Sequence, residues 1–311
     1  MENILVIPAI VALFYLLGKS ADVVVINVKK IADKLGIRVF FLGLILGFLT
    51  SLPELLVGIN SMIGNVSEIS VGNLFGGIVV IFGLILGASA VVNRKIKTDG
   101  HPLHILPMLA FILFTIFLGA DGIFTQFEGF VCVIAYFVLI FVLYNGRKKD
   151  VKRNIYIPRK ELVKNFFLMA GGIILVILFS NLIIKLTLFV LKEVSVSPFV
   201  IGLIFFSLGT NLPEIVVAIR SWKRHIQELS ISNLMGSAIA NGLIVGILSS
   251  IKPIFVEINF SYVNTAIFIS IIFGLFLYFY KTNKALTRNE GFVFLCLYAL
   301  FIITQTVVFF L

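Results

Sequence analysis

Ten stretches of about 20 mostly apolar residues, each closed by a charged or turn-rich break, leave this chain few folds to adopt. They run roughly over 4–28, 39–63, 69–92, 103–119, 124–144, 165–190, 198–220, 230–251, 261–280 and 291–310. A helix of that length crosses the hydrocarbon core of a bilayer. Composition agrees: 60% of the 311 residues are hydrophobic and 13% charged, against about 25% charged in a globular protein. A compact core of this size could not bury so much apolar side chain. The first stretch lacks a basic leader and a small-residue cleavage site, so it reads as a span and not as a signal peptide. The prediction is an all-α integral membrane protein with ten transmembrane helices.

The charge pattern sets the topology. The net charge of +10 comes from 25 Lys+Arg against 15 Asp+Glu. Those bases sit between apolar runs and form no patch with aromatic readers, so no nucleic-acid partner is expected. With ten spans, alternate loops fall on opposite faces, and 21 of the 25 bases fall on one of them. Only Lys192 and Lys252 lie in loops on the other. The positive-inside rule makes the basic face cytoplasmic, in a plasma membrane, with both termini outside. The longest polar segment, 146–164, carries eight bases and reads as a cytoplasmic linker between halves 1–145 and 165–311. Five spans per half give the halves opposite orientation, the arrangement of inverted-repeat transporters. Cys132 and Cys296 both lie inside apolar runs, which leaves no disulfide framework or zinc motif to read.

The halves superpose in sequence at a constant offset of 160. Residues 50-TSLPELLVGINSMIGNVSEISVGNLFGG-77 align with 210-TNLPEIVVAIRSWKRHIQELSISNLMGS-237 without a gap, 12 of 28 positions being identical. Chance agreement between apolar helices would match Leu, Ile and Val. It would not match a Pro-Glu pair, an Asn and a Gly.

That Pro-Glu pair has a specific chemistry. A proline inside a helix removes a backbone donor and displaces the carbonyl four residues back. Pro53 and Pro213 are thus expected to loosen the carbonyls near Leu49 and Gly209. Within a bilayer such groups are tolerated where they line a cavity or meet an ion. Thr50 and Glu54 share a helix face, as do Thr210 and Glu214. Each broken helix offers a carboxylate, a hydroxyl and carbonyls, hard oxygen ligands suited to Na⁺ or Ca²⁺. Either Glu could instead be a structural hydrogen-bonder, but intramembrane carboxylates are costly and a functional role is the default. The next helix of the second half carries Asn233, Ser237 and Asn241 in a stripe four apart. The first half keeps Asn73 there, with Gly77 and Ile81 in place of the other two. Asn73 and Asn233 fit ion contact and helix packing equally. Gly72, Gly76, Gly77 and Gly236 read as packing residues.

At these residues the chain resembles the cation/Ca²⁺ exchanger superfamily, which includes prokaryotic sodium/calcium exchangers. The family's paired motifs, Gly-Thr-Ser-x-Pro-Glu and Gly-Asn-x-x-Gly-Ser, stand here as Leu49-Thr50-Ser51-Leu52-Pro53-Glu54 with Gly72-Asn73-Leu74-Phe75-Gly76-Gly77. The second copy reads Gly209-Thr210-Asn211-Leu212-Pro213-Glu214 with Ser232-Asn233-Leu234-Met235-Gly236-Ser237. The resemblance implies cation sites around Glu54 and Glu214, supported by Thr50, Ser51, Thr210, Asn211 and Ser237. It also implies competition of Na⁺ with Ca²⁺, and sliding of the first and sixth helices with Gly18 and Gly171-Gly172 as loose points. The transported ions are the only ligands implied; no cofactor and no protein partner is expected. Gly77, Ile81, Asn211 and Asn241 depart from the family's usual polar or acidic residues. Fewer Na⁺ sites follow, and proton coupling through the two glutamates stays open, because desolvation favours the neutral carboxyl.

The leading reading is therefore an antiporter exchanging Ca²⁺ or a related cation for Na⁺ or H⁺. An enzyme would need a nucleophile–base pair or a metal motif, and the sequence has neither. A channel or transport-dead sensor is the other rival. Lys185, inside the sixth span, either snorkels outward or approaches the central carboxylates as a cation mimic. Lys19 and Asp22, three apart in the first span, are expected to pair with each other.

Overall fold

The computed structural model describes residues 2–35, 39–97, 105–146, 159–190, 200–281 and 285–310. Most of the linker 146–164 lies outside the described residues, as do the side chains of Asn181 and Lys185. The described chain is almost wholly helical. In order come α1 (Glu2–Leu35), α2 (Val39–Thr50), α3 (Leu52–Ile63), α4 (Glu68–Val79), α5 (Leu86–Asn93), α6 (Leu106–Leu118) and α7 (Gln126–Gly146). Then follow α8 (Arg159–Val190), α9 (Ser207–Thr210), α10 (Leu212–Lys223), α11 (Gln227–Ile251), α12 (Phe260–Lys281) and α13 (Arg288–Phe310). π-helical turns at Val80–Ile85 and Ile201–Phe206 join α4 to α5 and lead into α9.

Among the described residues seven helical stretches are long and apolar enough to cross a membrane, from Phe40–Ile63 to Arg288–Thr306. The pair Gly202–Thr210 and Leu212–Lys223, broken at Asn211, makes an eighth if taken as one span. Leu106–Asp121 is apolar but shorter. Helix α7 shows what these surfaces face. Phe130, Ile134, Phe137, Val138 and Phe141 are all exposed along it. A soluble monomer rarely exposes so continuous an apolar stripe, whereas lipid is its natural neighbour.

The chain folds as two compact units, each drawing on both sequence halves. The first comprises 1–53, 149–195 and 209–237. Its core is a helical stripe of α1, Leu17, Ala21, Val24, Val25 and Val28, packed with Ile173 and Val176 of α8 and Val217 of α10. Gly172 is the crossing point of α1 and α8. A Cβ there would lie 2.8 Å from Val24 and 3.2 Å from the Ser20 carbonyl. Gly172 thus packs against α1, whereas a Cβ at Gly171 would meet nothing within 4 Å. Asp22 does not pair with Lys19 as expected. It takes Arg220 at 3.1 Å and Arg224 at 3.7 Å, while the Lys19 ammonium lies over the Tyr15 ring. The two arginines bring a charge-assisted partner from another helix, which the spacing of α1 alone could not show.

The second unit comprises 54–148, 196–208 and 238–311. It holds two antiparallel ribbons, β1 (Lys95–Lys97) with β4 (Ala285–Thr287) and β2 (Ile123–Phe124) with β3 (Ile254–Phe255). Shifted by the repeat offset of 160, β1 falls on β3 and β2 beside β4. The duplication therefore maps one ribbon onto the other. Helices α7 and α13 begin with matching capping boxes. Glu128 accepts from the Thr125 amide at 2.8 Å, and Glu290 from the Thr287 amide at 2.6 Å; each Thr hydroxyl accepts from the Glu amide in return. The box satisfies donors that a helix start otherwise leaves unpaired. Within α12 and α13, Asn264 donates to Thr304 at 3.0 Å and Gln305 to the Ser261 carbonyl at 3.3 Å. Such interhelical bonds hold helices together in lipid, where apolar burial does not.

Candidate cation site

Proline does more than kink these helices. Pro53 and Pro213 each sit in the first turn of a new helix, α3 and α10, after breaks at Ser51 and Asn211. Proline is at home there, because its missing N–H would have no partner anyway. Glu54 and Glu214 thereby also fall in first turns, where the positive end of the helix dipole favours a carboxylate. The matched motif places a buried carboxyl group at each helix start.

All ten residues expected at the site are buried, none more than 1% exposed. Seven of them, Thr50, Ser51, Thr210, Asn211, Glu214, Asn233 and Ser237, lie in the first unit, and Thr50, Ser51, Glu214 and Ser237 meet there. The hydroxyls of Ser51 and Ser237 share a hydrogen bond of 2.7 Å, and Ser237 also lies 2.9 Å from Glu214 Oε1, to which it donates. Ser51 and Thr50 contact the Gly47 carbonyl at 2.9 and 3.1 Å. Thr50 neighbours the Glu214 carboxyl as well. Oε2 of Glu214 and both polar side-chain atoms of Asn233 are buried without a hydrogen-bond partner. Buried polar atoms are rarely left so. Thr210 and Asn211 are buried at the break itself.

Two glycines let the backbones approach closely enough for this. A Cβ at Gly47 of α2 would collide with the Asn233 carbonyl and the Ser237 amide of α11, and one at Gly236 would meet the Leu44 carbonyl. In the second unit Gly76 of α4 packs on the Leu203 carbonyl in the equivalent way. Gly76 and Gly236 are thus packing residues, as the sequence suggested.

Glu54, Asn73 and Asn241 belong to the second unit. Asn241 donates its amide to the Leu74 carbonyl at 3.0 Å and keeps Oδ1 unpartnered. An aspartate could not make that bond. Ser207 is a residue the motif search passed over. It is fully buried, its hydroxyl donates to the Leu203 carbonyl at 2.5 Å, and it stands three before Thr210 and four before Asn211. The signal was available as one more polar position on the same helix stripe, one turn upstream of the motif.

Long apolar helices with carboxyl, hydroxyl and amide groups buried at helix breaks are what a multi-pass membrane protein of the cation-exchanger class requires. The chain belongs to the sodium/calcium exchanger protein family, whose pattern it matches over residues 5–145 and 164–307. It is 27% identical over 284 residues to an uncharacterized membrane protein of Methanocaldococcus jannaschii, covering 91% of this chain and 92% of the relative. The sodium/calcium exchanger MaX1 of Methanosarcina acetivorans is 25% identical, with 92% and 94% covered. Among solved structures, the sodium-calcium exchanger NCX_Mj superposes with a TM-score of 0.82 at 26% identity, covering 96% of this chain and 98% of its own.

Proposed function

We propose that this protein is a secondary antiporter of the plasma membrane that exchanges Ca²⁺ for Na⁺ by alternating access. Ten spans form two inverted repeats, 1–145 and 165–311, joined by the cytoplasmic linker 146–164, with both termini outside. The ligands are Glu54, Glu214, Thr50, Ser51, Thr210, Asn211, Ser237, Asn241, Asn73 and Asn233. The observation that carries the reading is the buried Ser51–Ser237–Glu214 chain, which leaves one Glu214 oxygen without a donor. A desolvated carboxylate oxygen of that kind is strongly disfavoured unless a cation or proton meets it.

The test is ⁴⁵Ca²⁺ uptake into proteoliposomes under an imposed Na⁺ gradient, with Glu54→Gln and Glu214→Gln alongside. Both substitutions abolish uptake if the reading holds. Uptake indifferent to both removes the site. A second reading, proton coupling, is favoured by Asn241, a neutral amide that donates to the Leu74 carbonyl and adds no carboxylate to the two glutamates. Uptake driven by a pH gradient and not by Na⁺ selects it.

A further inference from the structure

Three apolar stretches end or begin at one place: Phe40–Ile63 ends there, Glu68–Asn93 begins and Leu229–Ile251 ends. A cavity of about 510 Å³ lies beside these ends, within the second unit. Its walls are the turn from Met62 to Glu68 and the segment from Lys252 to Phe255. Phe255 in the wall, and Ile63 and Ile251 next to it in the chain, expose their apolar side chains. Ends of spans that expose apolar residues lie where hydrocarbon gives way to headgroups, so a bilayer lipid is the molecule at hand.

The cavity holds both signs of charge. Glu68 is half-buried and, among the described residues, makes no hydrogen bond or ion pair. Lys252 gives one ammonium proton to Asn65 Oδ1 at 3.1 Å and keeps two more donors. Ser67 precedes α4, but its hydroxyl caps no amide. A bare cation would be repelled by Lys252 and a bare anion by Glu68. The complement is a zwitterion, with an ammonium for the carboxylate and a phosphate for the lysine and the serine hydroxyl.

The turn itself is duplicated. Asn65 and His225 have φ of 55° and 57°, and Val66 and Ile226 close matching backbone bonds of 2.9 Å to Ser61 and Ser221. A helix start favours an acid, which accounts for Glu68 and for Glu228 at the matching position. It does not account for Lys252, whose counterpart is Val92, on a face where Lys192 is the only other loop base. Nor does it account for the open space. Trp222 donates to Ser230 at 3.0 Å, whereas its counterpart Met62 leaves the buried Ser70 hydroxyl without a partner. The base and the room for a ligand are thus particular to this copy.

We propose that this cavity binds the headgroup of a phospholipid carrying a primary ammonium, with the ammonium on Glu68 and the phosphate on Lys252. The site is separate from the proposed cation ligands.

Native mass spectrometry of the purified full chain tests this with phosphatidylethanolamine, phosphatidylcholine and phosphatidylglycerol of identical acyl chains, each at the same concentration. Phosphatidylethanolamine should be retained about tenfold over the other two, as a hydrogen bond to a charged group is worth. Choline has no N–H to give, and glycerol brings no charge for Glu68. Glu68→Gln removes the preference over phosphatidylcholine, and Lys252→Met lowers retention of all three lipids. Met62→Trp fills the cavity without touching either charge, the indole having Ser70 to meet as Trp222 has Ser230, and it too abolishes the preference. Melting temperature in lipid-free detergent is the folding control. Equal retention of the three lipids by the parent protein overturns the proposal, and so does phosphatidylglycerol retained most, which makes the cavity an anion site. Variants that lower the melting temperature but leave lipid retention at the parent level overturn it too, since the two charges then serve only the fold.

Discussion

Ser237 makes two buried bonds, to Ser51 and to Glu214, so its removal reads out the whole hydroxyl chain. Ser237→Ala leaves Glu214 Oε1 without its donor in a site closed to water. A buried acceptor deprived of its partner costs about 1–3 kcal/mol, so cation KM should rise about tenfold or more, checked by uptake titration. The mild change Asn241→Asp tests charge in place of hydrogen bonding. It adds a carboxylate and deletes the donor to the Leu74 carbonyl. The expected result is a steeper dependence of exchange on Na⁺, measured as the Hill coefficient. These residues were legible because their chemistry is local: a Pro-Glu pair and a period-four polar stripe announce themselves in one chain. What joins them was not legible. The Ser51–Ser237 bond spans 186 residues of sequence, and nothing in either segment specifies the other. The Asp22–Arg220 pair failed for the same reason, since the nearest base in sequence, Lys19, is not the nearest in space.

At the scale of elements, the breaks at Ser51 and Asn211 followed from proline, but proline's role as an opener of α3 and α10 did not. A lone sequence gives the position of the disturbance and leaves its form to packing. The capping boxes show a signal present and unread. Thr125 with Glu128 and Thr287 with Glu290 are the Thr-x-x-Glu signature of a helix start, each followed by a glycine, Gly129 and Gly291, at a close helix crossing. Hydropathy hides such signals, because it averages over the polar residues that begin a helix. Thr125→Ala and Thr287→Ala should each destabilise the protein by about 1 kcal/mol. Thermal unfolding in detergent checks this, and KM for the cation should stay unchanged, since neither box lies in the proposed site.

For the whole molecule the loop count and the ribbons make separate arguments for one topology. The count of bases assigns the segments after the third and ninth spans to the basic face, and those after the fourth and eighth to the other. The two ribbons pair the same segments: Lys95–Lys97 with Ala285–Thr287, and Ile123–Phe124 with Ile254–Phe255. Strands that hydrogen-bond must lie on one side of a bilayer, because their backbone groups cannot be left unpaired in lipid. A missed or extra span between them would put partners on opposite faces. Charge bias and backbone pairing have unrelated physical origins, so their agreement is informative. Lys95 and Phe255 are both exposed and serve as reporters, with Cys132 and Cys296 first replaced by Ala. In intact cells a membrane-impermeant maleimide should label Phe255→Cys and not Lys95→Cys. After permeabilisation both should react. Labelling of Lys95→Cys from outside would reverse the orientation. Equal labelling of both in intact cells would undo the ten-span arrangement, and the inverted repeat with it.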